Sequence, residues 1–246
     1  MFSMNMGMGV VGRGVTPLSV PGCALWLDGA DSAAVTHVAG EVSQWSDKSG
    51  NGYHVIQGSA SNQPDWGNVT QNGKSVLYFD NGDFLRNTTA SGLFSITNGP
   101  GTYFVVGKAD NASGVNDYLY QFSESAVGRA YILYGSTAGS LLFLNRTSNA
   151  SAVTNTGSTH NTWQIMRGRR SGTTQAIAIN GGTEATNTSA LDEDGCDALT
   201  IGADGSGANI LAGAIAEMIF YNRSLSAQEI LQIERYLSSK WGVALL

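Results

Sequence analysis

The sequence predicts an all-β fold, a two-sheet antiparallel jelly-roll sandwich with one C-terminal helix packed on it. Three observations carry this expectation. Short apolar runs alternate with clusters of Gly, Asn, Asp and Ser along most of the chain, the pattern of strands and turns. Only 13% of the 246 residues are charged while glycine reaches 32, a composition that suits a turn-rich β surface and not long helices. One stretch alone, LSAQEILQIERYLSSKWG, has helical spacing.

Residues 1–20 read as an extended N-terminal arm. MFSMNMGMGVVGRG packs four Met and four Gly into fourteen residues and is followed by Thr16-Pro17 and Val20-Pro21. Glycine and proline favour an extended, adaptable segment. Methionine is apolar and deformable and suits irregular grooves on another chain. Met4, Met6, Met8, Val10 and Val11 are therefore the expected assembly residues. A basic stretch followed by a continuous apolar run is missing, so the start is not the usual secretory leader.

Residues 21–246 read as one domain. Its expected strands are ALWLDG (24–29), EVSQW (41–45), SVLYFD (75–80), TYFVVGK (102–108), DYLYQF (117–122) and AYILYG (130–135). SLLFLN (140–145), TWQIMRG (162–168), TQAIAIN (174–180), ALTIG (198–202) and GAIAEMIFYN (213–222) follow. Asn180-Gly181-Gly182 between alternating runs is a short hairpin signal. In the helix, Ser226 and Glu229 form a capping box, and Ile230, Ile233, Leu237 and Trp241 make an apolar stripe. Lys240 complements the helix dipole, and Gly242 supplies the stop.

The net charge is −6, and the 13 Lys and Arg are scattered apart from Arg167, Arg169 and Arg170. A nucleic-acid binder needs a basic face to neutralise phosphates, and this chain has none. The same acidity argues against anionic membrane surfaces, and no apolar run is long enough for membrane insertion as a helix. Seven Asn-x-Ser/Thr sequons reflect a composition rich in those residues. Cys23 and Cys196 are expected to be free thiols.

PGCALWLDGAD, then WSDKSGNG with the later NGKSVLYFDNGDFL, and finally GAIAEMIFYNRSLSAQEILQIERYLSSKWGV together resemble the laminin-G-like, concanavalin-A-like sandwich family. The likeness is strongest to its bacterial and phage versions. It extends over about residues 21–246, and the closing strand–turn–helix is its most specific part. The resemblance implies the fold. That family includes lectins, glucanases, adhesion modules and parts of phage particles, so function must come from the site.

The stretch DKSGNG in WSDKSGNGYHVIQ admits three readings: a calcium loop, a sugar-binding tip or a turn. Asp47, Ser49 and Asn51 alternate along it like the start of a cation loop. Lys48 intrudes, however, and Gly58 stands where a bidentate Glu belongs. Side-chain-to-backbone turns closed by Asp47 and Asn51, with glycines at positive φ, are the favoured reading. A second acidic cluster, LDEDGCDAL, offers Asp192, Glu193, Asp194 and Asp197. Asp192, Asp194 and Asp197 are its candidate calcium ligands; dense charge in a loop is otherwise simply solvated. No other cofactor is expected.

The sequence predicts no enzyme. Retaining hydrolysis of glycosides needs two neighbouring carboxyls, and GAIAEMIFYN supplies Glu217 alone, with Ile215 and Ile219 expected on its face. A hydrogen-bonded structural carboxylate is its plainer role. His37, His54 and His160 match no zinc or nucleophile motif. A sugar site would pair aromatic platforms with polar groups, and Trp45, Asp47, Asn51, Tyr53, Asp65 and Trp66 in and near the DKSGNG and NQPDWGN loops are candidates; the alternative is that the tryptophans are packing residues. Two functions follow. The first is a structural component of a phage virion (capsid decoration, head fibre or tail-associated protein) at the virion surface, held to other virion proteins by its arm and expected to be a homo-oligomer. The alternative is a carbohydrate-binding or adhesion module, extracellular or at a cell surface, recognising surface glycans such as those of a host.

Overall fold

Every strand expected from the sequence forms in the computed structural model, which describes residues 14–80, 82–93, 100–110, 117–124, 127–134, 141–145, 153–188 and 197–246. In chain order the strands are β1 (Cys23–Asp28), β2 (Val35–Val38), β3 (Glu41–Trp45), β4 (Val55–Ile56), β5 (Asp65–Gln71) and β6 (Lys74–Phe79). Next come β7 (Leu85–Asn87), β8 (Gly101–Ala109), β9 (Asp117–Glu124), β10 (Val127–Tyr134), β11 (Leu141–Asn145) and β12 (Val153–Asn155). The last are β13 (Gln164–Ser171), β14 (Thr174–Ile179), β15 (Ala185–Thr188), β16 (Ala198–Ile201) and β17 (Gly213–Tyr221), followed by helix α1 (Ala227–Trp241).

The pairings resolve into two antiparallel sheets. In the first, β17 is flanked on one side by β8 and on the other by β6 and β1 in tandem, β6 opposite Gly213–Ile215 and β1 opposite Glu217–Tyr221. From β8 this sheet continues through β13, β14 and β15. The second sheet runs β2, β3, β4, β7, β16, β9, β10, β11, β12. β5 pairs with β6 and touches β3 at Glu41–Asp65, which joins the sheets along one rim.

Two apolar layers follow from the strand period of two. Leu25, Leu27, Val105, Ile177, Met218 and Phe220 of the first sheet meet Trp45, Val55, Leu85, Phe122 and Leu199 of the second. Phe220 and Tyr120 stack across this core at 4.9 Å. The opposite face of the first sheet presents Trp26, Val76, Phe104, Val106, Ile219 and Tyr221 to the helix, which buries Ile233, Leu237 and Trp241 on it. Each such side chain contributes about 1.5–3 kcal/mol of burial. The helix begins at the Ser226–Glu229 capping box and ends at Gly242, whose φ of 68° is the left-handed stop that glycine takes without strain.

The strands that the sequence pattern did not reveal are β2, β4, β5, β7, β12 and β15. They are two to seven residues long and mostly polar, so alternation has little to register. Asn180 and Gly181, at φ 51° and 72°, turn the β14–β15 hairpin as expected. Of the expected arm, Met4, Met6, Met8, Val10 and Val11 lie outside the described residues. Its last part is fixed to the sandwich: Pro17–Ser19 form a 3-10 turn, Tyr221 donates its hydroxyl to Pro17 O at 3.0 Å, and Val20 is buried in the helix-side layer. No described helix is long and apolar enough to cross a membrane.

Candidate functional site

The DKSGNG loop is built around one carboxylate. Asp47 Oδ1 accepts from Trp26 N (3.0 Å) and Ser49 N (2.8 Å), and Oδ2 accepts from Ser49 Oγ (2.8 Å) and Tyr53 N (3.1 Å). A carboxylate has about four lone-pair sites, and all four are spent here. Asn51 donates Nδ2 to Ala24 O at 3.0 Å, and Gly50 and Gly52 take φ of 92° and 80°. The loop is thus a turn stitched to the backbone of β1, and Asp47 holds no oxygen free for a cation. Cys23, also on β1, is a free thiol, pushed up to about 12 by burial and by the nearby Asp47 charge. Cys196 lies outside the described residues.

The remaining expected ligand residues are placed differently from one another. Trp45 is fully buried in the inter-sheet core, so it presents no ring face to a ligand. Tyr53 is half-buried and packs against the same core. Asp65 sits on β5 opposite Tyr78. Trp66 gives its indole N–H to Gly29 O at 2.8 Å, and its ring lies 4.8 Å from that of His37. Asp192, Glu193 and Asp194 lie outside the described residues. Asp197 is exposed, its N–H donating to Ser123 O and its carbonyl accepting from Ala90 N. Among the described residues no group of three or more His, Cys, Asp or Glu could hold a metal ion.

Glu217 occupies a closed site under the helix. A β-bulge between Ile215 and Glu217 shifts the register against β8. Extra residues at a bulge change which face the following side chains take. Ile215 therefore faces the inter-sheet core, while Ala216, Glu217 and Ile219 face the helix, which corrects the expectation that Ile215 shares the face of Glu217. The carboxylate is fully buried and again takes four donors. Oε1 accepts from Trp26 Nε1 (2.7 Å) and Tyr236 Oη (2.8 Å), and Oε2 from Trp241 Nε1 (2.6 Å) and Lys240 Nζ (2.9 Å). Burial raises its pKa, with Lys240 opposing the shift.

A line of alternating charges leaves this site. Lys240 also meets Asp28 Oδ1 at 2.6 Å, Asp28 Oδ2 meets Lys48 Nζ at 2.8 Å, and Lys48 reaches Asp31 at 2.7 Å while lying 4.2 Å above the Trp26 ring. Lys48, the residue that spoiled the calcium pattern, thus belongs to the clamp holding the first strand, the DKSGNG loop and the helix together. No single segment of sequence announces it, because its members are far apart in the chain.

Open space of ligand size lies on the outer face of the second sheet. A cleft of about 370 Å³ is bounded by His54, Ile56, Phe84, Arg86, Asn87 and Thr89. β4 turns Val55 into the core and Ile56 outward, where it is 55% exposed, and Arg86 of β7 stands opposite Ile56. The guanidinium is fixed in place, Nε donating to Thr200 Oγ1 at 3.0 Å and Nη2 to Gly205 O at 2.6 Å, above the Phe84 ring at 5.3 Å. Asn87 orders the far wall by accepting from Thr89 and donating to His54 O at 2.7 Å. His54 joins the cleft to the Asp47 loop, since its Nδ1 accepts the N–H of Asp47 at 2.9 Å. That bond leaves the proton of neutral His54 on Nε2. A larger groove of about 1130 Å³ runs along the solvent face of α1 beside Gly14 and Val15. It is floored by pliable side chains such as Gln228, Gln232 and Arg235, whereas the smaller cleft stands on two paired strands. The cleft was not foreseen because β7 is three residues long and Arg86 belongs to no motif.

Comparison with known proteins agrees with this architecture. The chain superposes on Trypanosoma rangeli sialidase in complex with a difluoro-KDN ligand with a TM-score of 0.63 at 15% identity, covering 90% of this chain and 33% of that one. It superposes on the binding domain of botulinum neurotoxin DC in complex with SialylT with a TM-score of 0.60 at 9% identity, covering 90% and 52%. The receptor-binding domain of botulinum neurotoxin type G gives 0.60 at 12%, covering 87% and 51%. This chain therefore spans from a third to about half of the structures it resembles, and at these identities the likeness is one of fold. No curated protein matches the chain at significance. A family profile does match residues 87–231, more than half of the sequence, and by that match the chain belongs to the concanavalin A-like lectin/glucanases superfamily.

Proposed function

We propose that this protein is a non-catalytic carbohydrate-recognition module whose ligand site is the cleft on the outer face of β4 and β7. The observation that carries the reading is the composition of that cleft. An exposed aliphatic side chain, Ile56, lies beside a fixed guanidinium, an amide and a hydroxyl, those of Arg86, Asn87 and Thr89. An apolar platform with a few positioned polar groups is what a sugar ring requires, one face apolar and a rim of hydroxyls. The same fold makes up about half of a botulinum neurotoxin binding domain solved in complex with SialylT and a third of a sialidase solved with sialic acid, with which the reading is compatible. Against catalysis stands Glu217, the carboxylate that the sequence singled out. It is sealed under the helix, and each of its lone pairs already has a donor.

A glycan array probed with the full chain tests this. Binding to a defined glycan set that Ile56→Asp abolishes, with no hydrolysis of the bound glycans, is the expected result. Binding that survives Ile56→Asp, or release of sugar, would overturn it.

A second reading, that the module is mounted on a virion, has its own observation. Residues 14–20 are secured on the helix side of the first sheet, by Tyr221 and through Val20, whereas the cleft opens on the second sheet. A module anchored by one sheet and recognising by the other would suit a particle surface. Met4, Met6, Met8, Val10 and Val11 would then engage a neighbouring virion protein or a second copy. Deleting residues 1–13 should abolish incorporation into particles while leaving array binding unchanged; undiminished incorporation would rule this reading out.

A further inference from the structure

Arg86 distinguishes the cleft from an ordinary hydroxyl-reading site. In a chain of net charge −6, most described cations of the sandwich are matched by acids: Lys48 by Asp28 and Asp31, Arg167 and Arg169 by Glu184, Arg223 by Glu229, Lys240 by Asp28 and Glu217. Arg86 has no carboxylate within 4.0 Å among the described residues. Its two hydrogen bonds go to neutral oxygens, a threonine hydroxyl and a backbone carbonyl, and they use Nε and Nη2. Nη1 makes no hydrogen bond among the described residues, and Arg86 is one of the residues that line the cleft.

Such an arrangement fixes the position of a positive charge without neutralising it. Both anchoring bonds lie on one edge of the fork, which lowers the ordering cost of binding an anion at the rest of it. A neutral sugar would leave that charge partly desolvated and unmatched, whereas a carboxylate would gain a charge-assisted hydrogen bond. His54, with its proton on Nε2, can donate to a ring hydroxyl, and Thr89, whose own hydroxyl proton goes to Asn87, can accept from one. We infer that the cleft selects acidic sugars, glycans whose terminal residue carries a carboxylate, with Arg86 as the residue that reads it. This rests on the carbohydrate-recognition reading and adds the ligand class.

Three matched probes test it: methyl glucuronide, methyl glucoside and methyl sialoside, titrated separately into the full chain and into Arg86→Gln and Arg86→Lys. At least one acidic glycoside should bind about tenfold or more tighter than the glucoside. Arg86→Gln should erase that gap by lowering the affinity for the acids far more than that for the glucoside, and Arg86→Lys should recover part of it, since a point charge replaces the fork. The acid preference should weaken from low to physiological salt. Glucoside binding equal to or tighter than both acids would overturn the acidic-sugar inference and leave carbohydrate recognition standing. No binding by any of the three would overturn both. An acid preference that persists in a folded Arg86→Gln would remove Arg86 from the role.

Discussion

The indole N–H of Trp26 donates to Glu217 Oε1 at 2.7 Å, although 191 residues separate the two in the chain. The bond links β1 to β17 beneath the helix, in a pocket where the helix adds Tyr236, Lys240 and Trp241 as further donors. A carboxylate surrounded by four donors and fully removed from water is a structural device. It also fixes where the helix sits on the sheet.

Replacing Glu217 with Gln should therefore destabilise the fold strongly. The amide group would point an N–H at donors and leave the Lys240 charge with Asp28 alone. Breaking one partner of a buried pair costs about 3–5 kcal/mol. Urea unfolding of wild type and Glu217→Gln measures this directly. A loss below about 1 kcal/mol would mean that the closed carboxylate site is not the organising element inferred from its burial.

The Asp47 loop supports a graded prediction. Asp47→Ala leaves the N–H groups of Trp26, Ser49 and Tyr53 without their acceptor and should cost about 2–4 kcal/mol. Asn51→Ala removes an exposed amide that braces the Ala24 carbonyl and should cost about 1 kcal/mol. Because Asp47 has no lone pair to spare, calcium should leave the melting temperature of an Asp192, Asp194 and Asp197 triple-Asn variant unchanged. A calcium-dependent rise in that variant would show that the DKSGNG loop does bind the ion.

Asp83 gives a pH signature at the rim. Burial, and to a lesser degree the charges of Asp80 and Glu41, push its carboxyl from the ordinary 3.8 to about 7, while a hydrogen bond from Asp80 N at 2.9 Å opposes the shift. The folded state then holds a proton that the unfolded state has already lost. The contribution of Asp83 to stability is fully present below the ordinary 3.8 and is lost as pH rises through about 7. Asp83→Asn keeps an oxygen for the Asp80 N–H and removes the titration. Relative to wild type, the variant should gain stability across that interval, by roughly 1 kcal/mol at pH 8 after allowance for solvent screening. A wild-type-to-variant difference that is flat with pH would contradict the raised value.

The parts of this molecule that the sequence disclosed are those written locally. Ser226 and Glu229 are three residues apart, so their capping box was legible, as were the alternation of β17 and the glycine stop at Gly242. The bulge that turns Glu217 toward the helix was not, because it is a property of the pairing between β17 and β8 and leaves no mark on the run GAIAEMIFY. Trp45 looked like a platform because an aromatic beside a turn is ambiguous until burial is known. Arg86 was invisible for a related reason. Its significance is an absence of acidic partners in space among the described residues, and its strand is too short for any periodicity.

Amide chemical-shift mapping of the full chain, titrated with methyl glucuronide, methyl sialoside and methyl glucoside in turn, would locate the ligand site directly. Saturable shifts are expected at His54–Gln57 and Phe84–Thr89, with the Glu217 pocket and the helix unmoved. Shifts centred on the helix face or on the β5 rim at Trp66, or no saturable shifts with any of the three, would contradict it.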